Sequence, residues 1–356
     1  MADIRNMLEG QFTGDASLPT DDIQSDPSAW INYAFLENGG TGRESPLINT
    51  LKGIRIMGPG NQMAPKPDDN IGLVFINRPL LNLSDDNVIK HQQLASLYQP
   101  ASNTPAAYVK GLLDPVWGRA NSGLIGDQLD PTFPWIAPFT NYMKTCSGFP
   151  DVSLNVGTST PGIRKEVYQF VDGILKVNYN YDMHLSFTTF KPNILPYIFD
   201  VINHYIEAVT LGDEGMEPYP DALIQNYRDY DMRTYVFIMN RNARNIEGVY
   251  CNGYGWCNSF PSGAFSAVDR TQNSLRGQGQ DELDINWPSV GFRYNNYRVM
   301  DMFNRTTLFF NPNMSPDVRE QYYRKLSVSD YLSQSFNVYP WVNINTMEME
   351  YWSPLT

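Results

Sequence analysis

The stretch from Lys176 to Phe187 constrains this chain more than any other: Val177, Tyr179, Tyr181, Met183, Leu185 and Phe187 alternate with Asn178, Asn180, Asp182, His184 and Ser186. Six matches to a period of two specify a long β-strand with one apolar and one wet face. Directly after it, Ile194, Leu195, Ile198, Phe199, Ile202, Tyr205, Ile206 and Val209 fall on one face of a helix that Asn193 can cap and Gly212 ends. A strand followed at once by an amphipathic helix has a cover for its apolar face close at hand. The expected core is a sheet with a helix packed on it, with Tyr179, Tyr181, Leu185 and Phe187 pointing inward.

Other segments extend the β reading. Ile71 to Ile76 (IGLVFI) is a compact apolar run stopped by Pro79, and Arg233 to Asn240 and Ile246 to Tyr250 read as a hairpin turning through Arg241 to Asn245. Glu282 to Trp287 sets Leu283, Ile285 and Trp287 on one face, and Tyr297 to Phe303 is expected as a further strand. Ser84 to Tyr98 reads as a short helix capped by Ser84 or Asp85, and Pro316 to Leu332 as a mixed helix marked by Val318, Tyr322, Leu326 and Tyr331. Prolines at 100, 105, 115, 131, 134, 138 and 150 predict loops, turns and short edge elements up to Pro161. The expectation is a mainly β chain with minor α in four parts: an acidic N-terminal arm (1–53), a Pro-rich, loop-rich accessory region (54–164), a β core (165–310), and a C-terminal helix and extension (311–356).

Composition narrows the function. Charged residues make up 18% of the chain, below the roughly 25% of an ordinary soluble domain, against 13% aromatics; so thinly charged a surface implies something that covers it. With 38 acidic and 26 basic residues the net charge is -12, which excludes wrapping nucleic acid by neutralising phosphates. No signal-peptide pattern marks the first thirty residues, and no apolar run approaches the roughly 20 residues of a membrane span. Synthesis in a cytoplasm and no membrane insertion are the expectations. Three cysteines are too few for a disulfide framework.

Motifs for chemistry are missing. His91, His184 and His204 lack metal-binding spacing, although His184 and His204 sit where they can meet. Cys251 and Cys257, six apart, lack Cys-x-x-Cys spacing and, with Cys146, read as inert thiols. There is no phosphate-binding loop, and Gly277-Gln278-Gly279-Gln280 lacks a third glycine. Acid pairs at Asp21/Asp22, Asp68/Asp69, Asp85/Asp86, Asp213/Glu214 and Asp281/Glu282 suit solvated turns better than the facing carboxyls of a glycosidase. No catalytic residue, cofactor or metal is expected. The segment CNGYGWCNSFPSG (Cys251 to Gly263) reads as a glycine-rich loop presenting Tyr254, Trp256 and Phe260. With Tyr235, Phe237 and Tyr250 of the preceding hairpin, these aromatics are the candidate subunit interface.

Asp229 to Ser266 (DYDMRTYVFIMNRNARNIEGVYCNGYGWCNSFPSGAFS) followed by Glu282 to Asn304 (ELDINWPSVGFRYNNYRVMDMFN) resembles the structural proteins of large tailed bacteriophages, of tail-tube, tube-initiator or baseplate type. The resemblance spans about Val167 to Asn304. It implies a β-sandwich or small β-barrel with a packed helix, and six copies joined edge to edge in a ring that stacks along the tail. It further implies a virion protein of the tail or neck, neighbouring tail, baseplate or neck proteins as partners, and DNA passing without tight binding. Because such tube proteins are often much shorter, the first 160 residues and the C-terminal tail are expected as additions. A virion-borne glycan or cell-wall hydrolase would differ by two carboxyls converging in a cleft. A carbohydrate-binding module would differ by a shallow aromatic platform on a monomer.

Overall fold

The computed structural model describes residues 70–151, 155–172, 180–188, 194–212, 215–225, 227–240, 244–260, 271, 282–295, 297–327, 330 and 338–355. The 1–53 arm, Tyr179, the Asn193 cap, the turn at 241–243 and the end of the glycine-rich segment lie outside them.

In chain order the elements are β1 (Ile71–Ile76), α1 (Asp85–Val88), α2 (Pro105–Leu113), α3 (Pro115–Ala120), α4 (Ser122–Ile125), α5 (Ala137–Tyr142), β2 (Met143–Ser147), β3 (Val156–Thr158) and β4 (Gln169–Val171). They continue with β5 (Asn180–Thr188), α6 (Ile194–Leu211), α7 (Pro220–Ile224), β6 (Thr234–Met239), β7 (Ile246–Gly255), β8 (Glu282–Tyr294), α8 (Tyr297–Phe310), α9 (Arg319–Tyr322), β9 (Tyr323–Lys325), β10 (Tyr339–Asn343) and β11 (Glu348–Pro354). The described chain is mainly β with several helices. Among the described residues a six-stranded sheet runs β1-β6-β7-β8-β5-β2, a three-stranded one β10-β11-β9, and β3 and β4 pair only with each other.

The chain divides into two compact units, one of residues 1–71, 239–246 and 342–350, the other of residues 72–238, 247–341 and 351–356. Within the first, Arg244 Nε meets Glu348 Oε1 at 3.1 Å and Ile246 N–H donates to Met347 O at 2.8 Å. The second holds the main core. Its β5 pairs antiparallel with β8, Leu185 opposite Ile285 and Phe187 opposite Leu283. Met183, Leu185, Phe187, Leu283, Ile285 and Trp287 are buried with Leu195, Ile198, Phe199 and Ile202 of α6. Phe139 of α5 stacks on Phe199 at 4.7 Å and meets Phe187 at 5.4 Å. Each such side chain, fully buried, contributes about 1.5–3 kcal/mol. The expected strand-plus-helix unit is present, with Leu185 and Phe187 buried and Tyr181 half-buried.

Four expected elements come out differently. Tyr297 to Phe303, expected as a strand, is part of helix α8, because Val299, Met300, Phe303, Thr307 and Phe310 are buried at helical spacing. There Phe303 stacks on Trp135 at 4.4 Å and packs edge-on against Phe237 at 5.0 Å. The proline-rich stretch carries four α-helices instead of loops alone: Pro105 and Pro115 are first helical residues behind the caps Thr104 and Asp114, a position where the missing N–H costs nothing. Among the described residues of Pro316 to Leu332, only α9 is α-helix. The chain then turns into β9, which pairs with β11 in the register Lys325–Trp352. The Ser84 to Tyr98 helix is interrupted too, by an extended His91 between α1 and a 3-10 turn at Gln92–Leu97, and Ser84 makes no side-chain cap.

Two buried polar centres tie the proline-rich helices to the core. The Arg78 guanidinium donates Nε–H to Leu112 O (2.7 Å), Nη1–H to Pro131 O and Phe133 O (both 2.9 Å) and Nη2–H to Gly111 O (2.5 Å). Burial lowers its pKa to about 10. Asp114 accepts from Leu83 N–H, Trp117 N–H and the Tyr219 hydroxyl at 2.7–3.0 Å, and burial raises its pKa despite those bonds.

Candidate assembly surface

The six aromatics singled out in the sequence separate into two environments. Tyr235 and Phe237 are fully enclosed in the subunit, among Phe75, Trp135 and Phe303. An enclosed ring offers nothing to a neighbour, so the interface proposal carries forward on Tyr250, Tyr254, Trp256 and Phe260, all half-buried. The glycine-rich segment is not a loop throughout, since β7 runs on to Gly255 with Tyr254 opposite Val290 and Gly255 opposite Ser289 on β8. Gly255 is needed there because a Cβ would lie 2.5 Å from Trp287 Nε1.

Tyr254 and Trp256 do not stand free. The Arg228 guanidinium lies 4.6 Å from the Tyr254 ring, 4.8 Å from Trp256 and 5.5 Å from Tyr230, with Arg228 Nη2 3.1 Å from Asp231 Oδ1. A guanidinium over ring faces contributes about 0.5–1 kcal/mol per favourable contact when exposed. Trp, Tyr and Arg are also the residues that most often dominate binding energy at interfaces. Arg228 was missed in the sequence because two of the rings it meets, Tyr254 and Trp256, are more than 25 residues away in the chain.

At the far end of β7 and β8, Tyr250 lies opposite Tyr294. Around them Phe149 meets Tyr250 at 5.9 Å and Tyr181 at 6.0 Å, Tyr181 meets Phe292 at 6.3 Å, and Phe292 stacks on Tyr294 at 6.1 Å. Tyr294 remains 48% exposed and the others are half-buried. The alternation of β8 beyond Trp287 was the available signal for Phe292 and Tyr294.

The groups considered for chemistry have other surroundings. His204 meets His91 (ring centroids 5.9 Å), with Asp200 3.3 Å away, not His184. His184 instead lines a cavity of about 420 Å³ with Thr145, Ser186, Asp284 and Asn286 on the wet face of β5 and β8. Among the described residues no His, Cys, Asp or Glu group is arranged to hold a metal. No helix among them is long and apolar enough to cross a membrane. Cys146, Cys251 and Cys257 are free thiols that burial pushes up to about 12. Of the acid pairs, Asp85 holds the buried ammonium of Lys110. Buried carboxyls outside the acid pairs include Asp114, Asp229, which accepts from the Tyr205 hydroxyl, and Glu350, which accepts from Asn343 Nδ2–H at 3.2 Å.

Against known proteins, a family model described as "Putative phage tail tube protein" matches residues 13–355. That is far wider than the stretch from Val167 to Asn304 and takes in the segments expected as additions. No curated protein matches the chain. Solved structures include the tube-terminating cap of the anti-feeding prophage, at 13% identity and TM-score 0.27, covering 43% of this chain and 80% of that one. The sheath/tube terminator of an extracellular contractile injection system (PVC) matches at 9% identity and TM-score 0.24, over 43% and 85%. The sheath–tube complex of the same system matches at 12% and 0.27, over 45% and 82%. Likenesses at such TM-scores carry no argument about shared architecture.

Proposed function

The chain belongs to the phage tail tube protein family, and from that premise we propose that it is a non-catalytic structural subunit of a virion tail, made in the host cytoplasm, whose copies join in a sixfold ring. Stacked rings, with neighbouring tail, baseplate or neck proteins, form the conduit through which the genome leaves. The net charge of -12 suits this role, because an acidic protein repels phosphates and lets DNA slip past without adhering.

The observation that carries the reading, beside the family, is the half-covered aromatic surface on β7 and β8. Five rings (Phe149, Tyr181, Tyr250, Phe292, Tyr294) contact one another yet keep part of their area in water. Assembly would remove that area from water, and obligate interfaces, which bury about 2,000 Å² or more, are rich in such side chains. Tyr250, Tyr254, Trp256 and Phe260 are the residues we assign to the ring contact. The test is Tyr250→Asp with Tyr294→Asp in the full chain. Loss of assembly by electron microscopy, with an unchanged circular dichroism spectrum, is expected; assembly at wild-type concentration contradicts the assignment.

A further inference from the structure

Residues 155–172 form a hairpin that, among the described residues, belongs to no larger sheet. Val156 pairs with Val171, Gly157 with Phe170 and Thr158 with Gln169. The ladder continues with Ser159 N–H to Tyr168 O (2.8 Å) and Asp172 N–H to Asn155 O (2.9 Å), and Gly162 and Glu166 close the tip. Gly157 leaves room for the Phe170 ring, whose atoms would lie 3.0 Å from a Cβ there. Strand alternation sorts the side chains: Val156, Val167 and Val171 on one face, Tyr168 and Phe170 on the other. All five are more than half exposed, Tyr168 at 69%, and Ile163 at the tip is fully exposed. A lone two-stranded hairpin is marginal in water, and one that is apolar on both faces, with neither edge paired among the described residues, is a template for another chain.

We propose that a second copy of this chain covers the apolar faces of the hairpin while Arg164 and Lys165 at its tip meet acidic side chains of that copy. Charge selects the occupant. The hairpin carries two cations (Arg164, Lys165) and two anions (Glu166, Asp172) and is neutral, so the whole net charge of -12 lies on the rest of the chain. Two copies repel through that remainder. An element that is apolar, neutral and tipped by adjacent cations is the part of one copy able to approach the acidic surface of another. The inference rests on the tail-subunit reading but concerns a contact separate from the aromatic surface of β7 and β8.

The experiment places a photo-crosslinking amino acid at Tyr168 of the full chain in assembled particles and maps the products by mass spectrometry. The expected product joins position 168 to a second copy of the same chain and is lost in Val156→Asp/Val171→Asp. In Arg164→Glu/Lys165→Glu, self-association should weaken roughly tenfold at low salt, and the difference should shrink at 1 M salt, where the screening length falls to about 3 Å. Because the hairpin lies outside the core, both variants should melt with the parent. Particles in which copies touch but position 168 links to another protein, or to nothing, overturn this inference and leave the tail-subunit reading standing. Particles holding one isolated copy overturn both.

Discussion

β5 and β4 are both apolar strands, and they meet opposite fates. On β5, Met183, Leu185 and Phe187 are buried beneath α6, the helix that follows them in the chain. On β4 and its flanks, Val167, Tyr168, Phe170 and Val171 stay in water on two faces. The same alternation thus encodes two instructions, and what separates them is the cover that the chain itself supplies. β5 is completed within the subunit, whereas β4 is incomplete until a partner arrives.

Breaking the self-covered region should cost most. Arg78→Met strands the carbonyls of Gly111, Leu112, Pro131 and Phe133 without their donors. An unsatisfied buried group costs about 1–3 kcal/mol, so a loss of about 4 kcal/mol or more is expected in urea unfolding; less than 1 would deny Arg78 that organising part. Leu185→Ala should lose about 2–5 kcal/mol, measured in the same way.

A smaller effect depends on pH. Burial raises the pKa of Asp229 to about 6 from 3.8. The unfolded chain releases this proton near pH 4 and the folded chain only near pH 6, so stability falls as pH rises through that window and is level above it. The shift corresponds to roughly 2–3 kcal/mol. Asp229→Asn should remove this part of the slope, and unfolding midpoints that run parallel in the two proteins from pH 4 to 7 would contradict it. The smallest effect belongs to the uncovered region: Tyr168→Ser should change subunit stability by no more than about 0.5 kcal/mol. A larger loss would mean that the hairpin is already packed on its own subunit.

Legibility followed the same division. β5, α6 and β6 were readable because each buries a face whose period is local, and β1 because it is a compact apolar run. α8 was misread because Tyr297, Val299 and Asp301 start as an alternation and only Phe303, Thr307 and Phe310 reveal the helical period. Of the prolines that argued against helices, Pro105, Pro115 and Pro138 stand at helix starts, and for the first two the distinction turns on the capping oxygens of Thr104 and Asp114 rather than on proline content. Among the aromatics expected at an interface, exposure depends on partners far away in sequence: Trp135 and Phe303 enclose Tyr235, while Tyr250 meets Phe149, a ring that is itself half-buried. The hairpin went unnoticed because its strands are three residues each, too short for a periodic signal.

The central claim is that identical copies complete this subunit in a phage tail. Electron cryomicroscopy of the native particle tests it most directly. The account predicts several copies around the tail axis, touching through the β7–β8 aromatic surface and with each 155–172 hairpin covered by another copy. A particle with a single copy, or with copies that never touch one another, would contradict it.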